Sequence, residues 1–223
     1  MDWEGYWLKA GGAQRPGLYE VIAEVYRSQI LSRYAAAVLS REFVDSQGRH
    51  YLHAGSGSGG SDQRLTCAQA RFHCLDLSRT ALELNRRRRS GPLRRWQIRG
   101  DLFSLPYLEG VMDGIFNFGV MEHFSEEEIG RILAEFHRVL KKEGRLVLFW
   151  PPEFGLSVRV LALLPLKLHP PEISRIRSFR WVRDLMARHH FKVLETRFGF
   201  RDLFAQVVVV ARKVPAGVSS PQR

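Results

Sequence analysis

The chain is predicted to be an α/β protein with a mostly parallel, doubly wound sheet covered by helices on both faces. Segments typical of strands alternate with segments typical of helices through most of the 223 residues, which is the pattern of crossover connections in a parallel sheet. The turn Gly55–Gly60 follows the first strand, and the last two strand segments are joined closely enough to pair antiparallel. Together these observations predict an antiparallel C-terminal strand in an otherwise parallel sheet.

Seven strands are predicted from short apolar or β-branched runs that end at glycine, proline or aspartate. The fifth is typical of a buried strand, because its apolar residues continue up to Pro151 and Pro152. In chain order the predicted strands are 49–54, 71–75, 96–99, 112–118, 145–150, 191–198 and 204–212.

Helices are predicted where apolar residues recur three and four positions apart. One or two of them precede the first strand, between Leu18 and Leu39. The helix after the second strand begins at Ser78 and ends in Arg86–Arg89. A serine side chain accepts from the first free N–H groups of a helix, and the helix dipole favours cations at the other end.

The helix after the fourth strand has the strongest start signal in the chain. Ser125 and Glu128 form a capping box, in which each side chain accepts from the other residue's backbone N–H. Two lysines and Gly144 are predicted to close this helix. A last helix is predicted to begin near Ser178.

The chain has no internal repeat and no linker, which predicts a single domain over residues 1–213. Within it, residues 1–48 are predicted to form a helical cap and residues 49–213 the core. The polar residues 214–223 are predicted to be a disordered tail.

Composition argues against several classes of protein. No apolar run approaches the roughly 18 residues that cross a bilayer, and the N-terminus lacks the basic and apolar stretches of a secretory signal. Cys67 and Cys74 form neither a disulfide framework nor a zinc set, and the histidines lack metal-ligand spacing. We therefore predict a soluble cytoplasmic protein without a metal.

The net charge of +11 favours anionic partners, such as RNA or the surface of an anionic membrane. The densest basic run joins Arg86–Arg89 with Arg94 and Arg95 and is followed by Trp96. Charge beside an aromatic ring is expected of RNA binding, but a solvated helix end explains the same run. RNA is therefore kept as an alternative partner.

Candidate site residues fall where predicted parallel strands end, which is where a doubly wound sheet binds its ligand. The turn Gly55–Gly60 lets backbone N–H groups approach a ligand closely. Asp76 ends the second strand, where a carboxylate can accept both hydroxyls of a ribose. Asp101 ends the third strand, where it can face the exocyclic amine of an adenine, and Asn117–Gly119 end the fourth.

The glycine turn alone does not identify the ligand. Gly55, Gly57 and Gly60 also fit the pattern G-x-G-x-x-G, so an NAD-dependent enzyme has to be considered. Three features speak against NAD: some fifty residues precede the first strand, an acid also follows the third strand, and the chain closes with an antiparallel pair.

Five segments, in this order and spacing, make the chain similar to a known family. They are 53–59 (HAGSGSG), 74–78 (CLDLS), 100–101 (GD), 112–124 (MDGIFNFGVMEHF) and 138–148 (RVLKKEGRLVL). The chain resembles the class I S-adenosylmethionine-dependent methyltransferases, in particular the small-molecule group with a Rossmann-like domain. The resemblance covers residues 51–150 well and the terminal strands more loosely.

The resemblance implies a Rossmann-like sheet of seven strands that binds S-adenosylmethionine. The glycine loop would wrap the methionine part of the cofactor, Asp76 would bind the ribose, and Asp101 with Leu102 would border the adenine. Asn117–Gly119 would line the site near the sulfonium. The implied cofactor-binding residues are Gly55, Ser56, Gly57, Gly59, Asp76, Leu77, Asp101, Leu102, Asn117, Phe118 and Gly119.

Glu122 and His123 are the candidate catalytic residues, because they form the acid–histidine pair at a predicted strand end. Either can act as a general base toward a substrate hydroxyl or amine. His123 can equally be a cofactor-side contact or pack the start of the helix. The expected activity is methyl transfer to a small-molecule or lipid-like acceptor.

The segment 156–168 is apolar with interspersed cations, and the resemblance places part of a substrate lid there. Such a stretch can touch a membrane surface or receive a lipid-like substrate, or it can be a core helix kinked at Pro165. We favour the lid, formed with the N-terminal helices and with Tyr19 and Tyr26.

His53 departs from the family, which usually has an acid there that steadies the loop and helps hold the cofactor's ammonium group. A histidine cannot act as an anion, and a protonated one repels a cation. The departure leaves open a second hypothesis, a non-catalytic binding or scaffold protein. An RNA methyltransferase is the third.

Overall fold

The fold is described from a computed structural model. The residues that it describes are 2–11, 25–61, 63–65, 69–88, 94–153, 175–198 and 206–215. The predicted lid at 156–168, Tyr19 and the end of the tail at 216–223 lie outside the described residues.

The contacts of the chain divide it into two compact units, Met1–Pro106 and Tyr107–Arg223. This division does not test the predicted single domain over residues 1–213, which stays a prediction.

The strands form a seven-stranded mixed sheet in the order β3–β2–β1–β4–β5–β7–β6. Neighbouring strands of the first unit, β1 to β3, are parallel, as are β4 and β5, while β7 is antiparallel to both β5 and β6. The predicted α/β fold is therefore confirmed. The strands are β1 His50–Ala54, β2 Arg71–Asp76, β3 Arg94–Arg99, β4 Met112–Phe118, β5 Leu140–Trp150, β6 Phe191–Phe198 and β7 Val207–Lys213.

The described residues of the first unit include the α-helices α1 Trp3–Gly11, α2 Ser32–Glu42 and α3 Arg79–Arg87, and a π-helical turn precedes α2. Ser78 caps α3 as predicted, because its side chain accepts from the backbone N–H of Ala81. Helix α1 lies within the predicted helical cap at residues 1–48, but the apolar pattern that predicted helices there began only at Leu18.

In the second unit, the described residues form a short 3₁₀ turn at Met121–His123 and the α-helices α4 Glu126–Val139 and α5 Phe179–Arg188. The predicted capping box at the start of α4 is present in full. The predicted apolar face of α4 is buried; it comprises Ile129, Ile132, Leu133, Phe136 and Val139.

Strand β5 begins at Leu140, earlier than predicted, and the two lysines and the glycine of 141–144 do not close α4. The reason is that the backbone N–H of Val111 donates to the carbonyl of Val139, so the chain passes directly from the helix into pairing with β4. The register with β4 skips this segment, and Glu143 has a left-handed φ of 63°.

No helix within the described ranges is long and apolar enough to cross a bilayer. Among the same residues, no three histidine, cysteine or acidic side chains cluster closely enough to hold a metal ion.

His73 makes the stability of the first unit sensitive to acid. Its Nε2 lies 3.0 Å from Nδ1 of His50, and burial, followed by the charges of His50 and Arg71, lowers its pKa from 6.5 to about 4. Between these values the unfolded chain binds a proton that the folded chain excludes, so stability falls as the pH falls.

We expect His73→Gln to lose less thermal stability than the wild type when the pH is lowered from 7.5 to 5. Unfolding followed by circular dichroism at both pH values measures the two losses. The pKa values of His137 and His189 are also lowered by burial, so part of the wild-type loss will remain. Equal losses in the two proteins would contradict this role of His73.

Candidate cofactor-binding site

The glycine turn after β1 has a backbone that few other residues could adopt. Gly57 and Gly59 have φ values of 50° and 71°. A Cβ atom on Gly57 would lie 2.8 Å from Cζ2 of Trp7, and one on Gly59 would lie 2.7 Å from Nδ2 of Asn85. The turn therefore depends on glycine for its conformation and for the close approach of these two side chains.

Asp76 is placed at the end of β2 with its carboxylate held between two backbone N–H groups. Oδ2 accepts from Gly57 at 2.8 Å, and Oδ1 accepts from Ser78 at 2.9 Å. Asp76 is only 8% exposed, and burial raises the pKa of its carboxyl group, while the two N–H groups and His53 act in the opposite direction. Each oxygen of an ionised carboxylate can accept a further hydrogen bond, so the group can still receive two hydroxyls.

His53 is buried in β1 opposite Cys74, on the same face of the sheet as Asp76. Its charge lowers the pKa of Asp76. The histidine that replaces the family's usual acid is thus electrostatically complementary to the predicted ribose-binding residue. Its effect on a cofactor ammonium group stays a prediction.

Asp101 follows β3 and is exposed, and its side chain accepts a hydrogen bond from a residue in the same turn. Oδ1 accepts from the backbone N–H of Phe103 at 3.0 Å, which closes a turn of the Asx type. The adjacent Gly100 donates to the carbonyl of Asp76 at 3.1 Å, so the end of β3 is joined to the end of β2. Leu102 lies in this turn and is half-buried.

Two further features of the first unit fit a nucleoside cofactor. The hydroxyl of Ser56 is buried and makes no hydrogen bond to the part of the chain that the structure describes. Leu77, directly after Asp76, is 47% exposed, which is unusual for a large apolar side chain beside a buried carboxylate. One offers a polar contact and the other an apolar surface to a bound molecule.

In the second unit, Asn117 is completely buried at the end of β4, and neither polar atom of its side chain has a hydrogen-bond partner among the described residues. Leaving a buried amide unpaired is costly, so such groups often serve a ligand. Gly119 follows with a φ of 61°, and its N–H donates to Phe149. The ring of Phe118 packs against that of Phe149, with centroids 4.3 Å apart.

Glu122 and His123 lie in the 3₁₀ turn that follows Gly119. Glu122 is 5% exposed, and its Oε1 lies 3.1 Å from the position that a Cβ atom on Gly119 would take. His123 is half-buried, and its backbone N–H donates to Val120. The structure brings the pair together at a strand end, and its role as a general base stays a prediction.

Comparison with known proteins gives a match over residues 52–148 to the family described as a methyltransferase domain. An uncharacterized methyltransferase of Oceanobacillus iheyensis is 24% identical over 178 residues, which are 80% of this chain and 74% of that protein.

Solved structures share the fold. The magnesium protoporphyrin IX methyltransferase of Synechocystis PCC 6803, crystallised with S-adenosylhomocysteine, is 17% identical with a TM-score of 0.68, and 94% of each chain is covered. The 1,6-didemethyltoxoflavin-N1-methyltransferase of Burkholderia thailandensis is 20% identical with a TM-score of 0.63, over 92% of this chain and 93% of that chain.

The fold confirms the predicted Rossmann-like architecture, and the match of residues 52–148 to a methyltransferase domain supports the predicted class, an S-adenosylmethionine-dependent methyltransferase. The residues described fit its cofactor: an acid with acceptor capacity for ribose, a glycine loop, and a buried serine hydroxyl without a partner.

The sequence did not reveal three side chains that shape the loop, namely Glu4, Trp7 and Asn85. Asn85 donates from Nδ2 to the carbonyl of Gly57 at 3.4 Å. Its sequence signal was a polar residue on the apolar side of α3. Glu4 and Trp7 gave no signal except their spacing of three residues, which places two side chains on one helix face.

We expect His53→Gln to raise the pH below which cofactor binding is lost, which we call the acid limit of binding. We expect the ionised form of Asp76 to bind ribose best. His53 lowers the pKa of Asp76 electrostatically, so replacing it should raise that pKa, and binding should be lost earlier as the pH falls. Calorimetric titration with S-adenosylhomocysteine between pH 8 and 5 measures this limit. His189→Gln, a substitution in the second unit, is the control and should leave it unchanged. Coincident limits for His53→Gln and the wild type would refute the coupling.

Proposed function

We propose that the protein transfers the methyl group of S-adenosylmethionine to a small-molecule or lipid-like acceptor in the cytoplasm. The observation that carries the proposal is the buried carboxylate of Asp76, held by the glycine turn on one side and by the start of α3 on the other. This arrangement supports binding of a ribose next to the glycine turn, in which Gly55 and Gly57 are half-buried.

In the first unit, we assign the ribose hydroxyls to Asp76 and the methionine part of the cofactor to the glycine turn. Ser56 would supply its buried hydroxyl to the same part. Leu77 would cover one face of the adenine, and Asp101 with Leu102 would border its edge. The local hydrogen bond of Asp101 leaves its other carboxylate oxygen for the adenine amine.

In the second unit, Asn117 is assigned a hydrogen bond to cofactor or substrate, because its buried side-chain amide makes none within the described chain. Phe118 and Gly119 would line the same region. Glu122 or His123 would take the proton from the acceptor where its nucleophilic group needs to lose one.

The bound cofactor supplies the chemistry, since a sulfonium methyl group is strongly electrophilic. The protein then contributes mainly by orienting the acceptor in line with that group and by excluding water. The names of the two solved relatives specify a magnesium porphyrin and a toxoflavin precursor, both small molecules, which supports a small-molecule acceptor here.

We expect Asp76→Ala to weaken the binding of S-adenosylhomocysteine roughly 10- to 100-fold, because hydrogen bonds to a charged group contribute about 1.5–3 kcal/mol. Glu127→Ala, which removes an exposed acid from α4, should leave the affinity within about twofold of the wild type. Calorimetric titration gives both constants, and circular dichroism confirms that each variant is folded. Asp76→Ala with wild-type affinity would exclude the assigned ribose contact.

The acceptor class can be tested with a methyl-labelled cofactor. An extract is separated into small-molecule, lipid and RNA fractions, and each is incubated with the wild-type protein and with Asp76→Ala. We expect label from the wild type in the small-molecule or lipid fraction and little from the variant. Label confined to RNA would replace the proposal with its alternative, an RNA methyltransferase. One observation favours that alternative. Trp96 is 41% exposed and packs under the guanidinium of Arg71, and a cation beside an exposed aromatic ring is expected of RNA binding.

A further inference from the structure

Helix α1 is hydrogen-bonded to the start of α3 and also lies close to α3 near its own C-terminal end. Near its start, the carboxylate of Glu4 accepts from the backbone N–H of Arg79 at 2.9 Å, from that of Thr80 at 3.3 Å, and from the Thr80 hydroxyl. Near its end, a Cβ atom on Gly11 would lie 3.2 Å from Cδ1 of Leu84. Glu4 therefore supplies acceptors to two N–H groups at the beginning of α3, where the helix dipole favours an anion.

The connection between β1 and β2 explains why this contact matters. In a parallel sheet such a connection normally carries a helix that packs on the strands. Here the described residues between Gly55 and Ala70 form turns and bends, and none of them is helical. Helix α1 lies beside α3 instead and supplies helical packing next to the glycine turn from a distant part of the chain.

Gly57 is the residue of the glycine turn that contacts both helices and the candidate ribose-binding residue. Its N–H donates to Asp76, its carbonyl accepts from Asn85, and its Cα faces the ring of Trp7 so closely that a Cβ atom could not fit. Asn85 belongs to α3 and Trp7 to α1, so the residue is held from the sheet and from both helices. A shift of Trp7 would release one of these three restraints.

We infer that α1 positions the glycine turn of the cofactor site, and that Trp7 and Glu4 are the positioning residues. Trp7 holds Gly57 so that its N–H orients the carboxylate of Asp76 toward the ribose, and Glu4 keeps α1 on α3. The inference rests on the proposed cofactor site but concerns residues outside the matched methyltransferase domain, which begins at residue 52.

The pKa of Glu4 is consistent with this role. Hydrogen bonds from the side chains of Thr80 and Ser78 lower it, so the carboxyl group is ionised at neutral pH and remains an acceptor. Trp3, one turn before Trp7 on the same helix, packs edge to face on Tyr6 with ring centroids 6.2 Å apart. It provides a matched control, because Trp3→Ala removes an equal side chain from α1.

The test compares S-adenosylhomocysteine affinity in the wild type, Trp7→Ala, Trp7→Phe and Trp3→Ala by calorimetric titration. We expect Trp7→Ala to lose roughly tenfold or more in affinity, since small displacements of a positioned group have large effects. Trp7→Phe should recover most of the loss, because an aromatic ring again packs on Gly57. Trp3→Ala should stay within about threefold, and Glu4→Ala should resemble Trp7→Ala.

Hydrogen exchange separates local positioning from general loss of stability. In Trp7→Ala, exchange should accelerate in peptides covering residues 55–61 but not in those covering β4 and β5. If the wild type binds no S-adenosylhomocysteine, the proposed function itself fails. If the wild type binds and Trp7→Ala binds equally well or more tightly, or loses affinity only with uniformly faster exchange, the positioning role is refuted.

Discussion

The structure of the first unit depends on how one buried negative charge is satisfied. An ionised carboxylate is expensive to bury unless hydrogen bonds replace its lost hydration. Asp76 obtains two of them from backbone N–H groups, one in the glycine turn and one at the start of α3. The turn, the strand end and the helix start are therefore held in one arrangement by a single side chain, and each of them restricts the other two.

The same arrangement explains why a ligand is expected there. Burial raises the pKa of Asp76, and the two N–H groups and His53 oppose that shift by favouring the ionised form, whose oxygens keep unused acceptor capacity. A pair of vicinal hydroxyls can complete the hydrogen bonding that the protein leaves open. The fixed N–H groups determine the direction in which the carboxylate offers its remaining acceptors, which makes the geometry of Gly57 important for affinity.

Features with local causes were predicted well from the sequence. The caps at Ser78 and Ser125 depend on residues three positions apart, and both are present. The strands, the mostly parallel sheet and its antiparallel C-terminal strand followed from apolar runs that end at glycine, proline or aspartate and alternate with helices. The predicted positions of Asp76 and Asn117 at strand ends are also observed, and the buried unpaired amide of Asn117 adds a reason that the sequence could not supply.

Features that depend on distant contacts were not predicted. Helix α1 has too short and too weak an apolar pattern to predict a helix alone, and its contacts to α3 are between residues about 75 positions apart. The early start of β5 depends on pairing with the chain before β4, which overrides the glycine and lysines expected to end α4. The position of Asp101 was predicted, but not that its side chain would close its own turn.

The most direct measurement is a crystal structure of the protein with S-adenosylhomocysteine. We expect both ribose hydroxyls to lie at hydrogen-bond distance, about 2.5–3.0 Å, from the carboxylate oxygens of Asp76. We also expect the N–H of Gly57 still to donate to this carboxylate. A nucleoside bound elsewhere, or Asp76 turned away from the ribose with its hydroxyls held by other groups, would contradict the assigned role of Asp76.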